Sequence, residues 1–105
     1  MIPRVEQPGV ERRRLRFAVR GIVQGVGFRP FVYGLALREG LAGYVGNDSS
    51  GVFVEVEGSS SSLDAFGRDL VAAAPPLSYV ERVDVTEIDP TGEQGFVIVQ
   101  SRAVS

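Results

Sequence analysis

Apolar and polar residues alternate in several short stretches of the chain, and each stretch predicts a β-strand. In RLRFAVRG, from residue 14, Leu15, Phe17 and Val19 share one face and arginines the other, the period of a half-buried strand. The segment GYVGNDSSGVFVEVEG predicts a β-hairpin with a first strand ending near Asn47 and a turn of Asn, Asp, Ser and Gly. Its second strand is expected to point three valines inward and two glutamates outward: Val52, Val54 and Val56, and Glu55 and Glu57. Later segments predict two more strands, one carrying Val83 and Val85 and a final one in GFVIVQ.

Helical spacing appears twice. In FRPFVYGLALREG, Pro30 suits a first helical turn, Gly40 suits the left-handed position after the last turn, and Leu41 can make the hydrophobic contact of such a cap. The apolar stripe of this helix comprises Phe28, Phe31, Val32 and Leu35.

A second, short helix is predicted in SSSSLDAFGRDLVAAAPP. Ser62 is the expected cap, and Pro75 and Pro76 end the segment. Its apolar stripe comprises Leu63, Phe66 and Leu70. The order strand, helix, strand, strand, helix, strand, strand predicts an α+β fold of the ferredoxin-like, split βαβ type, with two helices on one face of an antiparallel sheet. This fold hosts many unrelated functions, so it does not identify one.

Composition restricts the chemistry. The 105 residues contain no cysteine and no histidine, and all 11 basic residues are arginine. Thiolate catalysis, cysteine-ligated zinc and a Schiff-base lysine are therefore excluded within this segment, and catalysis must use arginine, carboxylates, amides, hydroxyls or the backbone. A net charge of −2 disfavours nucleic acid as a partner. No apolar run of 18 residues or signal-peptide pattern is present, so we expect no membrane association and a cytoplasmic location.

Residues 1–13 combine two prolines, a glycine and mixed charge without periodicity, and we interpret them as a mobile N-terminal arm before a single domain at residues 14–101. The basic cluster ERRRLR, at residues 11–16, overlaps the end of this arm and the start of the domain. Beside a ferredoxin-like sheet it also suggests an RNA-binding module. That alternative requires exposed aromatic residues on the central strands, whereas Phe17 has the spacing of a core residue.

The segment VQGVGFRPF joins the first strand to the first helix. Glycines at positions 21, 25 and 27 permit positive φ values, so several backbone N–H groups can converge on an anion at the start of the helix. Arg29 lies at the same place and can add a bidentate contact. The spacing alone fits equally well a tight connection that binds nothing, with Arg29 in a surface ion pair and Asn47 as a turn former.

The complete strings carry a resemblance. GIVQGVGFR and GYVGNDSSGVFVEVEG resemble the two motifs of the acylphosphatase family. With FRPFVYGLA, PPLSYVERVDV and the closing GFVIVQS, the chain is most similar to the N-terminal acylphosphatase-like domains of the HypF family, the carbamoyltransferases of [NiFe]-hydrogenase maturation. The resemblance implies that the chain is the N-terminal part of a larger multidomain protein.

The resemblance also implies a mechanism. Arg29 would bind the phosphate oxygens and Asn47 would hold the attacking water. The phosphate would be cradled by backbone amides of the loop residues Gln24, Gly25, Val26, Gly27 and Phe28, together with Arg29. The implied substrate is carbamoyl phosphate, hydrolysed to phosphate and carbamate, with no cofactor in this domain. Downstream domains of the same chain and the HypE maturation protein are the implied partners. A stand-alone acylphosphatase and a catalytically idle phosphate-binding module remain as alternatives.

Overall fold

The computed structural model describes residues 11–100, which form one five-stranded sheet covered on one face by two helices. The elements in chain order are β1 (Arg13–Ile22), α1 (Phe28–Arg38), β2 (Ala42–Asp48), β3 (Gly51–Gly58), α2 (Ser60–Ala72), β4 (Tyr79–Ile88) and β5 (Phe96–Ile98). The strand order is β4-β1-β3-β2-β5, and the ferredoxin-like prediction is confirmed. Residues 1–10 of the predicted arm and residue 101 lie outside the described residues, and β1 begins at Arg13, one residue earlier than expected.

The sheet is mixed, whereas the sequence suggested an antiparallel one. The pairs β4-β1, β1-β3 and β3-β2 are antiparallel, but β5 pairs with β2 in parallel. The cause is the connection at residues 89–95, which leaves β4 at one edge of the sheet and crosses to the other edge. Because it crosses at the end where β2 begins, β5 starts beside β2 and runs in the same direction.

The core lies between the sheet and the helices. The inward-facing valines of β3 are confirmed, since Val52, Val54 and Val56 are at most 2% exposed. Phe17 of β1 meets Phe66 of α2 edge to face, with ring centroids 5.4 Å apart. Aromatic pairs of this geometry add to the stability that burial itself provides.

The end of α1 has the cap that the sequence predicted. Gly40 has a φ of 69°, its N–H donates to the Leu37 carbonyl, and the next N–H, of Leu41, donates to the Ala36 carbonyl at 2.9 Å. This is a Schellman motif, in which the C″ residue also makes a hydrophobic contact with the helix. Leu41 is accordingly buried with Ala36 in the core cluster.

The start of α2 differs from the prediction. The cap is Ser59, not Ser62: its backbone is extended and its side chain accepts a hydrogen bond from the Ser62 N–H at 3.3 Å. The helix spans 13 residues and is therefore not short. Four consecutive serines offer four possible caps, and the prediction failed because propensity alone cannot choose among them.

The glutamates of β3 lie on the face opposite the valines, as expected, but they are buried. Glu55 is 8% exposed and Glu57 is fully buried. They are covered by arginines at the start of the described chain, in and just before β1, and by residues of the connection at 89–95. We call this set the Arg14 cluster; its members are Arg12, Arg14, Arg16, Glu55, Glu57, Thr91, Gly92 and Glu93.

Candidate active site

The loop at residues 23–27 and the β2-β3 turn lie at the same end of the sheet, which we call the site end. β1 ends there at Ile22 and β2 ends there at Asp48. The register continues across three strands, because Val19 of β1 pairs with Val52 of β3, which pairs with Asn47 of β2. The fold thus brings together the two motifs, which are separated in sequence.

The backbone of the loop has two glycines in the left-handed region, a conformation that permits an anion-binding concavity. Gly25 and Gly27 have φ values of 77° and 81°, whereas Val26 between them has a negative φ. Alternation between left-handed and right-handed conformations turns successive N–H groups toward a common side. A Cβ at either glycine would meet nothing within 4 Å, so it is the backbone conformation rather than lack of space that favours glycine here.

The same loop opens α1. Gly27 is the N-cap and has no side chain to accept from the first-turn N–H groups, and no acidic residue lies in that turn. The first helical hydrogen bond runs from the Phe31 N–H to the Gly27 carbonyl at 3.2 Å. The positive end of the helix dipole therefore faces the loop without an internal carboxylate or cap, which favours a bound anion.

The first two residues of α1, Phe28 and Arg29, differ in their surroundings. Phe28 is 1% exposed and packs edge to face against Phe31, with ring centroids 5.4 Å apart. This packing anchors the loop to the core. Arg29 is the second helical residue and is half-buried, so its backbone lies in the first turn of α1, directly after the loop.

Asn47 lies one residue before the end of β2 and is 9% exposed. Its Oδ1 is buried and has no hydrogen-bond partner, alone in this respect among the side-chain atoms of residues 11–100. A buried acceptor without a donor is costly, so this oxygen is available to accept a hydrogen bond from a bound molecule. Asn47 thus has an unused acceptor at the site end.

The loop is tied to the turn by a side chain that the sequence did not single out for this purpose. The Gln24 amide donates to the Asp48 carbonyl at 2.8 Å and to the Gly51 carbonyl at 3.3 Å. Sequence patterns cannot predict such contacts, since the acceptors are backbone carbonyls common to every residue.

The end of the sheet opposite the site end holds the Arg14 cluster, which includes the buried charged residues Arg14, Glu55 and Glu57. Burial alone would lower the pKa of Arg14 and raise that of Glu57, but hydrogen bonds between them and to their neighbours outweigh it. The pKa of Arg14 is consequently raised and that of Glu57 lies well below its usual range. Both groups therefore remain charged at neutral pH. The carboxylates of Glu55 and Glu57 neutralise part of the positive charge of the basic segment ERRRLR within the domain itself.

Two further observations concern possible ligands. Within residues 11–100 no group of three or more acidic side chains is placed to hold a metal ion. No helix in this same part of the chain has the length and apolar character needed to cross a bilayer.

The family model of the acylphosphatases matches residues 15–98, which include the whole loop and Asn47. The chain belongs to the acylphosphatase family. An acylphosphatase of Thermotoga petrophila is 42% identical over 87 residues, which cover 82% of this chain and 96% of the relative. The acylphosphatase domain is thus nearly as long as a complete stand-alone member.

Longer members of the family are also similar. The carbamoyltransferase HypF of Rhizobium leguminosarum bv. viciae is 48% identical over 89 residues, which cover 85% of this chain but 12% of the relative. A crystal structure of full-length HypF in a phosphate- and nucleotide-bound form superposes with a TM-score of 0.89 at 37% identity, covering 97% of this chain and 13% of that one. The chain therefore spans about an eighth of the length of the HypF relatives it matches.

Proposed function

We propose that this acylphosphatase domain hydrolyses acyl phosphates, with the loop and Arg29 binding the phosphoryl group and Asn47 orienting the attacking water. The water oxygen attacks phosphorus, the bond between phosphorus and the acyl oxygen breaks, and the carboxylate leaves. The water proton passes to a phosphoryl oxygen. Because a carboxylate leaves readily, the reaction needs positioning and charge stabilisation more than a strong protein base.

The unpartnered Oδ1 of Asn47 is the observation that carries this proposal. A water placed between the loop and Asn47 would donate one hydrogen to Oδ1, satisfying the buried acceptor and directing a lone pair of the water oxygen toward phosphorus. The backbone N–H groups of the loop, whose glycine conformations permit them to converge, and the uncapped start of α1 would supply the donors that the phosphoryl oxygens require. Each charge-assisted hydrogen bond of this kind contributes about 1.5–3 kcal/mol.

The similarity to HypF supports a narrower substrate. We infer that the acyl phosphate is carbamoyl phosphate, that the domain works within a longer carbamoyltransferase chain, and that HypE receives the carbamoyl group from downstream domains. We further infer that the domain itself needs no cofactor and acts in the cytoplasm. The 48% identity to a HypF protein and the 12% coverage of that protein support the longer chain.

Phosphate release from carbamoyl phosphate and from an aromatic acyl phosphate tests the proposal in the wild-type domain and in Arg29→Ala and Asn47→Ala. We expect Arg29→Ala to raise KM by about 10-fold or more, through loss of charge-assisted contacts. Asn47→Ala should lower kcat by about 100-fold, since the water loses its orientation.

Matched controls use residues remote from the loop. Arg38→Ala removes an arginine from the far end of the same helix, where it pairs with Asp69, and Gln94→Ala removes an exposed amide. Both should retain wild-type rates. Equal rates for Arg29→Ala, Asn47→Ala and wild type would refute the catalytic assignment and favour the idle phosphate-binding module.

A further inference from the structure

Gln24 is an exposed loop residue, yet its side-chain amide donates to two carbonyls in the turn of a distant hairpin. Nε2 lies 2.8 Å from the Asp48 carbonyl and 3.3 Å from the Gly51 carbonyl. An exposed glutamine would otherwise keep considerable rotamer freedom, which these two bonds oppose. The side chain therefore acts as a bridge between the loop and the β2-β3 turn.

The turn that receives the bridge is held in one shape. The Asp48 carboxylate accepts hydrogen bonds from the Ser50 N–H at 2.8 Å and from the Gly51 N–H at 3.2 Å. This is an Asx-type turn, which fixes the local backbone. The carbonyls of Asp48 and Gly51 are consequently presented together to a single amide group.

The bridge connects elements that the sheet does not pair. β1 and β2 are separated by β3, so no ladder hydrogen bond joins the strand before the loop to the strand that carries Asn47. The Gln24 side chain spans this gap and ends on Asp48, the residue next to Asn47. The loop and Asn47 are thereby fixed relative to one another.

We propose that Gln24 is a positioning residue that sets the distance and angle between the phosphate cradle and Asn47. This inference rests on the proposed function, in which water held by Asn47 must lie in line with the bond that breaks. Its predicted signature is an effect on kcat, because the N–H groups that bind phosphate belong to the backbone and remain when the side chain changes. Misplacement by about 1 Å is enough to reduce catalysis by about 100-fold.

Gln24→Met keeps about the same side-chain length and stays uncharged, but removes the N–H donors. We expect kcat for an aromatic acyl phosphate to fall by about 10- to 100-fold. KM and the inhibition constant of inorganic phosphate should stay within about threefold, because the backbone cradle is intact and no charge has been added beside it. Gln94→Met makes the same chemical change at an exposed site and should leave all three constants unchanged. A wild-type kcat in Gln24→Met, or a loss confined to KM, would overturn the proposal.

A double-mutant cycle tests whether Gln24 acts through Asn47. In an Asn47→Ala background, Gln24→Met should change kcat by less than about twofold, because the water is already unoriented. Effects that multiply would show independent action and overturn the inference. If Asn47→Ala and Arg29→Ala instead keep wild-type rates, the proposed function fails; if both lose activity and Gln24→Met does not, the positioning role alone fails.

The bridge can also be measured without a substitution. NMR relaxation of the Gln24 side-chain amide should give an order parameter near 0.85, as for rigid backbone. A value below about 0.6 would indicate a freely moving side chain and refute the bridge whether or not the variants fold.

Discussion

Replacement of Glu57 by glutamine tests the energetic role of the Arg14 cluster. Glu57 is fully buried and accepts hydrogen bonds from Arg12 at 2.6 Å, Arg14 at 2.9 Å, and the backbone N–H groups of Thr91 at 2.8 Å and Gly92 at 2.9 Å. Both carboxylate oxygens receive donors. A glutamine has nearly the same volume, but one of the two oxygen positions becomes an NH₂ group. That NH₂ group would face N–H donors instead of accepting from them, so the substitution removes a charge and also places donor against donor.

The expected loss in the free energy of unfolding follows from the buried Arg14 charge that the substitution leaves in place. Removing one partner of a buried ion pair costs about 3–5 kcal/mol, because the other charge stays buried without full compensation. Arg14 is 2% exposed but retains Glu55 and Glu93, each at 2.9 Å, so we expect the lower limit, about 3 kcal/mol. For a domain of this size that corresponds to a fall in Tm of about 12–24 °C.

Urea unfolding followed by far-UV circular dichroism is the appropriate assay, since the chain has no tryptophan. Glu87→Gln is the matched control: this carboxylate also pairs with an arginine, Arg13, but on an exposed part of β4, so the free energy of unfolding should hardly change. A loss for Glu57→Gln no larger than that for Glu87→Gln would refute the reasoning.

The pH dependence of stability provides a second measurement on the same residue. The folded-state pKa of Glu57 lies below the ordinary value of 4.5, so its ionised form stabilises the fold above that pH and this contribution is lost as the pH falls. The wild-type free energy of unfolding should decline below about pH 4.5. In Glu57→Gln the decline should be shallower, with the remaining slope due to groups such as Glu55, whose pKa is also lowered. Identical slopes would contradict the assignment.

Two further pairs of substitutions test the local geometry by urea unfolding. Ser59→Ala should lower the free energy of unfolding by about 1 kcal/mol through loss of the α2 cap, whereas Ser62→Ala, the cap expected from sequence, should have little effect; the reverse order would contradict the assigned helix start. Gly51→Ala should cost at least about 3 kcal/mol, since a Cβ there would lie 2.2 Å from the Val19 carbonyl oxygen at a φ of 149°. Gly92→Ala, with positive φ but open space, should cost about 1–2 kcal/mol, and equal losses at the two glycines would show that the close approach is unimportant.

Local patterns predicted most of the fold because they depend on neighbouring residues. The alternation around Phe17 identified β1, and the glycine at position 40 identified the end of α1. The period of two also assigned Glu55 and Glu57 to the face away from the valines. It could not predict their burial, because the groups that cover them come from β1 and from the connection after β4, about 40 and 35 residues away.

Local sequence patterns predicted less of the candidate site than of the fold. Glycine spacing indicated an anion cradle and equally a plain turn, and the roles of Arg29 and Asn47 came from family resemblance. No sequence period links Arg29, in the first turn of α1, with Asn47, 18 positions later near the end of β2. The structure adds that both motifs reach the site end and that Gln24 joins them, but the roles of Arg29 and Asn47 stay predictions until the variants are measured.

The length of β1 separates the two parts of the domain in which substitutions are proposed above. Its ten residues extend over about 30 Å, with the Arg14 cluster near the first residue and the loop after the last. Substitutions separated by this distance without shared partners usually have additive effects on stability. Substitutions at the loop and substitutions in the Arg14 cluster should therefore change the free energy of unfolding independently, so selection can alter one end of β1 without a coupled loss of stability from the other.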